Sequence, residues 1–358
     1  MSRLMHPELF EVPVVHVIIR SYGLMMVIGF LAAVTTIRYL SRHFTSDPQH
    51  ITNAALYSLI AGVVGARVFY VIHYYHDRFG GNPLGVFAIW KGGLELLGGV
   101  LLAIAVILFY IYRHKLPMRH YLDVLAIGLL AALAFGRIGC FLNGCCYGKP
   151  TDLPWGVRFP YGSWAYRSQV RPDPERNRPL SYIDLPDSYF GYRDAQGQYV
   201  ADLKPMSELT DEQRSLVTHG QYRGLPVHPT QLYSSAGAIL TGGVLLLLLR
   251  RSRKAEVSSE YGFLTKPGST FSLMFVFYAV MRFLIEFVRD DNPYEIGSLT
   301  ISQLLSVGLF ALGVVLAAYF AVTQPEPLPA GGHNRTSDAA RTTPRTTRHA
   351  VQASRKTS

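Results

Sequence analysis

Seven long apolar stretches, separated by short polar connections, run through this chain of 358 residues. A run of roughly 20 apolar residues matches the hydrocarbon thickness of a bilayer. There the backbone must satisfy its own hydrogen bonds, so each run is expected to be a helix. The stretches lie near 20–40, 51–75, 94–113, 121–141, 229–250, 271–288 and 299–322. They predict an all-α polytopic membrane protein with about seven transmembrane helices. Composition agrees, since only 16% of residues are charged, against about 25% in soluble domains. The first stretch lacks a clear small-residue cleavage site and is followed by further spans, so it reads as a span rather than a cleavable leader.

The net charge of +10 is unevenly placed. Arg38 and Arg42 follow the first span, Arg113, Lys115 and Arg119 the third, and Arg250, Arg251, Arg253, Lys254 and Lys266 the fifth. The alternate loops hold fewer cations, namely Arg78, Lys91 and Arg289. The positive-inside rule then puts the N-terminus outside and the C-terminus in the cytoplasm. On this reading the basic excess reports orientation and attraction to anionic membrane lipids, not nucleic-acid binding.

Four segments follow. Residues 1–141 comprise an amphipathic lead-in and the first four membrane helices. Pro7 and Pro13 argue against one continuous helix in that lead-in. Residues 142–228 are the one large polar segment, expected to form a small outer head resting on the membrane part. Within it "WGVRFP" and "GQYVADL" look extended, and "SELTDEQRSLVTHG" looks like a short capped helix. Residues 229–322 hold the last three spans. Residues 323–358, rich in Pro, Ser, Thr and Arg, are expected to be a disordered basic tail. No internal repeat is evident.

Two of the spans carry an arginine near one end: Arg137 in "AALAFGRIGCFLNG" and Arg282 in "FVFYAVMRFLIEFVRDD". A guanidinium stays charged, and at membrane depth it is normally paired or turned toward a cavity or polar substrate. Its planar fork suits phosphate. Around Arg137, Gly136, Gly139, Gly144 and Gly148 permit a tight turn whose amides can approach a ligand, and Asn143 adds a neutral donor and acceptor. An interfacial turn with a snorkelling arginine is the plainer alternative. Tyr278, Arg282 and Glu286 share one helical stripe. There the plainer alternative is a buried pair that only ties helices together. Tyr22 in "RSYGLMM" fits an interfacial aromatic belt. In "VHPTQLYSS", His228 precedes the fifth span, and Gln231 and Tyr233 follow Pro229.

The three cysteines, Cys140, Cys145 and Cys146, lie in one short segment. Their spacing is a poor zinc pattern, so neither a metal nor a cofactor is expected. Small-residue packing is the leading reading, with a disulfide from Cys140 or a redox role left open.

Taken together these segments resemble the bacterial prolipoprotein diacylglyceryl transferases, over about residues 15–160 and 226–322. The family signature G-R-x-G-N-F-x-N-x-E-x-x-G is matched at Gly136, Arg137, Gly139, Phe141, Asn143 and Gly148. "SYGLM", "WKGGL" with a following "GG", "HPTQLY" and "YAVMRFLIEFVR" match further family segments in order. The resemblance implies transfer of the diacylglyceryl group of phosphatidylglycerol to the lipobox cysteine thiol of a prolipoprotein at the bacterial inner membrane, without a cofactor. It implies that Arg137 and Arg282 hold the lipid phosphate, that Tyr22, Asn143 and Tyr278 line the head-group site, and that Glu286 orients Arg282. Gly139, Gly148, His228, Gln231 and Tyr233 are the other substrate-site candidates. Where some members carry a histidine proposed as the base, this chain has Leu97, which cannot accept a proton; Glu95, two residues earlier, is the nearby candidate. Cys140 and Cys145 replace the signature Asn and Glu. The rivals are a non-catalytic paralogue that binds lipid or lipoprotein and a membrane thiol oxidoreductase. A transporter would want mid-bilayer polar residues on several spans and repeat symmetry, which are not seen.

Overall fold

The computed structural model describes residues 8–12, 17–42, 45, 47, 49–75, 83–87, 93, 95–194, 196–258, 260–262 and 264–324. The elements in order are β1 (Glu8–Val12), β2 (Val17–Arg20), α1 (Ser21–Ser41), α2 (Gln49–Tyr74), α3 (Leu96–Arg113), α4 (Met118–Asn143), β3 (Val157–Arg158), α5 (Trp164–Gln169), β4 (Phe190–Arg193), β5 (Tyr199–Leu203), α6 (Asp211–Thr218), β6 (Pro226–Val227), α7 (Thr230–Ser258), α8 (Ser269–Glu286), β7 (Tyr294–Ile296), β8 (Leu299–Thr300) and α9 (Ile301–Val322). Each apolar stretch of the sequence is matched by a helix. Six of these are long and apolar enough to cross a membrane, and the seventh, the apolar helix of Leu97–Arg113, is shorter. The lead-in contains a strand pair, in keeping with the prolines that argue against a continuous helix: β1 and β2 run antiparallel, with Val12 opposite Val17. Nearly all of the expected tail and most of residues 76–93 lie outside the described residues.

α4 is the hub of the bundle, packing on α1, α7 and α8. Val124, Ile127 and Leu130 of α4 meet Ala238, Leu245 and Leu249 of α7 and Met274 of α8 in the main hydrophobic cluster. α2 and α3 form a close hairpin, because Gly65 and Gly98 bring the two backbones together. A Cβ on Gly65 would sit 2.5 Å from the Gly98 carbonyl oxygen. The glycine pair after "WKGGL" is thus a helix-packing device, of the small-residue kind common in membranes. α2 also carries a span arginine that the sequence reading passed over. Arg67 is buried, and its guanidinium donates to the carbonyls of Gly85, Val86 and Gly93 at 2.8–2.9 Å. It organises the loop that follows its helix. The bundle's apolar side chains at Ile72, Phe109 and Leu240 are 66–71% exposed, as expected of a surface that meets lipid tails rather than water.

At one end of α4 the polar groups are closed off. Both Asp123 carboxylate oxygens accept backbone N–H groups at the start of α8, from Gly268 at 2.7 Å and Phe271 at 2.8 Å. Those amides lack partners within their own helix, so the carboxylate caps a neighbour's N-terminus. His120 lies 2.9 Å from Glu256 of α7.

The segment between α4 and α7 folds as a small head of short strands and turns. β3 pairs with β6, and β4 with β5, which places both extended-looking sequence pieces on strands. α6 begins at a capping box between Thr210 and Gln213. The head holds its own hydrophobic cluster of Tyr166, Val170, Ile183, Leu185, Tyr189, Leu203, Leu209 and Val217. The cluster gives the head a core of its own beside its contacts with the membrane part. These residues come singly from distant turns, so no periodic run in the sequence announces the core. Two arginines also tie the head to the bundle: Arg176 donates to the Arg289 carbonyl at 2.9 Å, and Arg178 lies 3.7 Å from Asp290.

Candidate functional site

The glycine-rich signature occupies the last two turns of α4 and the turn that follows. Gly144 adopts a left-handed conformation with φ 74° and caps the helix, its N–H turning back to the carbonyls of Cys140 and Phe141. The Cys145 N–H also returns to the Cys140 carbonyl, at 3.2 Å. This is the usual glycine C-cap logic, and it folds the chain back over its last helical turn. Cys146 then takes φ 59°, which is rare for a residue with a Cβ and needs support from its surroundings.

That support comes from α7. Thr230 Oγ1 donates to the Cys146 carbonyl and Gln231 Nε2 to the Cys145 carbonyl, both at 2.7 Å. The end of α8 supplies the rest. Lys149 N donates to the Val288 carbonyl at 2.8 Å, and Asp290 N to the Tyr147 carbonyl at 3.1 Å. Gly148 is wedged between these elements; a Cβ there would lie 2.5 Å from the His228 carbonyl oxygen and 2.8 Å from that of Val288. His228 and Tyr233 face each other at 3.2 Å, and the Trp155 indole donates to the Tyr233 hydroxyl at 2.8 Å. Burial pushes the His228 imidazole below its ordinary value, favouring the neutral ring. The "HPTQLY" segment is therefore scaffolding for the signature turn. Thr230, which the sequence reading left out, does as much of it as Gln231.

The two span arginines are held in contrasting ways. Arg282 is tied down. Its guanidinium forms an ion pair with Glu286 at 2.5 Å, and Nη2 donates to Ser302 Oγ at 2.7 Å. Glu286 is buried and also accepts from Asn292 Nδ2 at 2.5 Å and Thr300 Oγ1 at 2.8 Å. A buried carboxylate fixed by several donors holds its arginine in one orientation. Arg289 makes a bidentate bond to Asp291 at 2.8 and 2.6 Å. Burial works against its charge, but Asp291 and its neighbours outweigh burial and raise its pKa. Arg137, by contrast, is half-buried and has no carboxylate partner among the described residues. It lies within electrostatic range of Arg282, Tyr22 and Cys146.

Tyr22, in the first turn of α1, is 40% exposed and packs beside Gly139 of α4, within range of Arg137 and all three cysteines. Asn143 lies within interaction range of Cys145. It also lines a recess of about 280 Å³ with Gly144, Phe159 and Trp164 of the head. Tyr278 is half-buried on α8, within range of Arg282. Glu95 stands apart: it precedes α3 and lies 3.5 Å from His73 of α2. Leu97 is 59% exposed. The three cysteine sulfurs converge to within 4.8 Å of one another, which the spacing alone did not suggest.

Arg137, Arg282 and Arg289 thus gather at one end of a helical bundle, and only Arg137 lacks a carboxylate counter-ion among the described residues. The class the fold defines is a multi-pass integral membrane protein, here with three arginines gathered at the ends of its helices. A profile of the family described as "Prolipoprotein diacylglyceryl transferase" matches residues 7–319, and the chain belongs to that family. It is similar to proteins named phosphatidylglycerol–prolipoprotein diacylglyceryl transferase in several bacteria. The one from Geobacter sulfurreducens is 29% identical over 311 residues, covering 84% of this chain and 91% of the relative. That from Xanthomonas oryzae pv. oryzae is 30% identical, covering 87% and 91%. That from Clostridium tetani is 28% identical, covering 87% and 96%.

Proposed function

We propose that this chain transfers the diacylglyceryl group of phosphatidylglycerol to the lipobox cysteine thiol of a prolipoprotein, forming a thioether and releasing glycerol phosphate. The reading places it in the bacterial inner membrane, N-terminus outside and C-terminus cytoplasmic. The head at 142–228 then lies on the outer face between the membrane parts 1–141 and 229–322. The observation that carries the proposal is the half-buried guanidinium of Arg137, without a carboxylate partner among the described residues and backed by the fixed Arg282.

The acceptor sulfur attacks the glyceryl carbon that bears the phosphoester oxygen, and its thiol proton passes to water, to the lipid phosphate itself or to Glu95. The C–O bond breaks and its electron pair leaves on the phosphate. Arg137 and Arg282 hold the lipid phosphate and stabilise the charge that develops as it departs. Glu286 positions Arg282. Tyr22, Asn143 and Tyr278 line the head-group site. Gly139 lets α1 approach, and Gly148, His228, Gln231 and Tyr233 shape the turn. Glu95, paired with His73, lies two residues before the family's histidine position in the sequence.

The test uses purified protein in liposomes with phosphatidylglycerol and a lipobox peptide, read by mass spectrometry. A diacylglyceryl adduct on the cysteine peptide, absent from a Cys→Ser peptide, supports the transferase. Lipid binding without adduct supports the non-catalytic paralogue, the reading that Leu97 favours.

A further inference from the structure

The cysteine cluster has no part in the phosphate chemistry, yet it sits against it. Cys140 is on the last turns of α4, and the left-handed Gly144 and Cys146 fold Cys145 and Cys146 back over it. All three sulfurs lie within 4.8 Å of one another. Zinc–thiolate bonds are about 2.3 Å long, which puts sulfurs at two corners of a tetrahedron about 3.8 Å apart. Three thiolates around a divalent ion leave one negative charge, and Arg137 and Arg289 both lie within electrostatic range of Cys146.

We propose that Cys140, Cys145 and Cys146 bind one zinc ion as three thiolates, and that its fourth position takes the acceptor thiol of the lipobox cysteine. The proposal rests on the transferase reading above and supplies what that reading lacks, a way to ionise the acceptor without a histidine at position 97. A thiol that coordinates zinc is deprotonated outright. Zinc sites with three protein ligands keep an open position for such a group, and zinc itself undergoes no redox change. The acceptor thiol releases its proton to water as it binds. The bound sulfur then attacks the glyceryl carbon, the C–S bond forms, and the C–O electron pair leaves with the glycerol phosphate held by Arg137. The neutral thioether is a weak ligand and is replaced by water. Tyr22, in range of all three cysteines and of Arg137, stands where sulfur and phosphate meet.

The experiment measures zinc in the full-length protein purified without chelators, by elemental mass spectrometry, beside Cys145→Ser. The expected result is one zinc per wild-type chain and its loss in the variant. Cobalt exchanged into the wild-type protein should show thiolate charge-transfer absorption that shifts with a lipobox cysteine peptide and not with its serine counterpart. Adduct formation is measured on the same samples. Transfer by zinc-free protein, or a disulfide among the three cysteines in place of metal, overturns the zinc site while leaving the transferase reading intact. Bound metal whose spectrum ignores the peptide overturns the catalytic role. A peptide-dependent shift without any adduct leaves a thiol-binding zinc site and defeats the transferase reading instead.

Discussion

The two ends of α4 handle buried charge in opposite ways. At the Asp123 end the carboxylate meets two backbone amides of α8, and His120 meets Glu256. The polar groups there find their counterparts within the fold, and their role is to lock α8 and α7 against α4. At the other end Arg282 and Arg289 are neutralised by Glu286 and Asp291, while Arg137 has no carboxylate among the described residues. A low-dielectric setting makes an uncompensated charge costly, so a charge left open in a well-packed fold marks the place where the fold is completed by something else. On the proposed function, the same helix separates a structural end from a chemical one.

Substitutions at the two ends should separate accordingly. The largest effect is expected from Arg137→Ala. It should lower transfer about 100- to 1,000-fold, the scale of losing one preorganised charge stabiliser, while thermal unfolding in detergent stays near wild type. Equal loss of stability would make Arg137 structural and erase the contrast. Glu286→Gln comes next. It leaves Arg282 charged but weakly oriented, and transfer should fall about 10- to 100-fold, with a smaller change in lipid KM than in kcat. Asp123→Ala should do the reverse of Arg137→Ala. It should cost about 2 kcal/mol of stability through the lost cap of α8, seen as a lower Tm, with turnover per folded molecule preserved.

Smaller effects are expected in the scaffold. Thr230→Val removes one of two bonds that hold the left-handed turn at Cys146; it should reduce transfer several-fold, and combination with Gln231→Leu should be more than additive because the two share one turn. The smallest concerns the head. Asp202 sits between Arg167 and Arg171. Burial alone would raise its carboxyl, but the Leu203 amide and the two arginines more than offset that and hold it below the usual range. A lowered folded-state pKa stabilises above the unfolded value of about 3.9, and that contribution disappears as pH falls through the folded value. Acid unfolding of the head followed by tyrosine fluorescence should therefore be less steep in Asp202→Asn.

Much of the bundle was legible because a bilayer imposes one length and one kind of backbone pairing on every span. Arg137, Asn143, Arg282 and Glu286 were legible because charge and amide within apolar runs stand out. Other features were not. The three sulfurs meet only because Gly144 and Cys146 turn the chain back, and a C-x4-C-C spacing does not encode a turn that Thr230 and Gln231 hold from more than 80 residues away. Arg67 was hidden by satisfaction, since its partners are backbone carbonyls that any sequence supplies. Glu95 looked close to the chemistry in sequence, but its partner is His73 on the α2–α3 hairpin, which packs chiefly on itself. The head's core escaped notice because Tyr166, Ile183, Leu203 and Val217 arrive from separate turns.

The central claim is that Arg137 waits for a lipid phosphate. It is tested most directly by native mass spectrometry of the detergent-purified protein with phosphatidylglycerol or the head-group-free diacylglycerol, comparing wild type, Arg137→Ala and Asp123→Ala. The account predicts that wild type and Asp123→Ala retain phosphatidylglycerol in preference to diacylglycerol, and that Arg137→Ala loses the preference. A folded Arg137→Ala protein that retains phosphatidylglycerol as well as wild type does would contradict it.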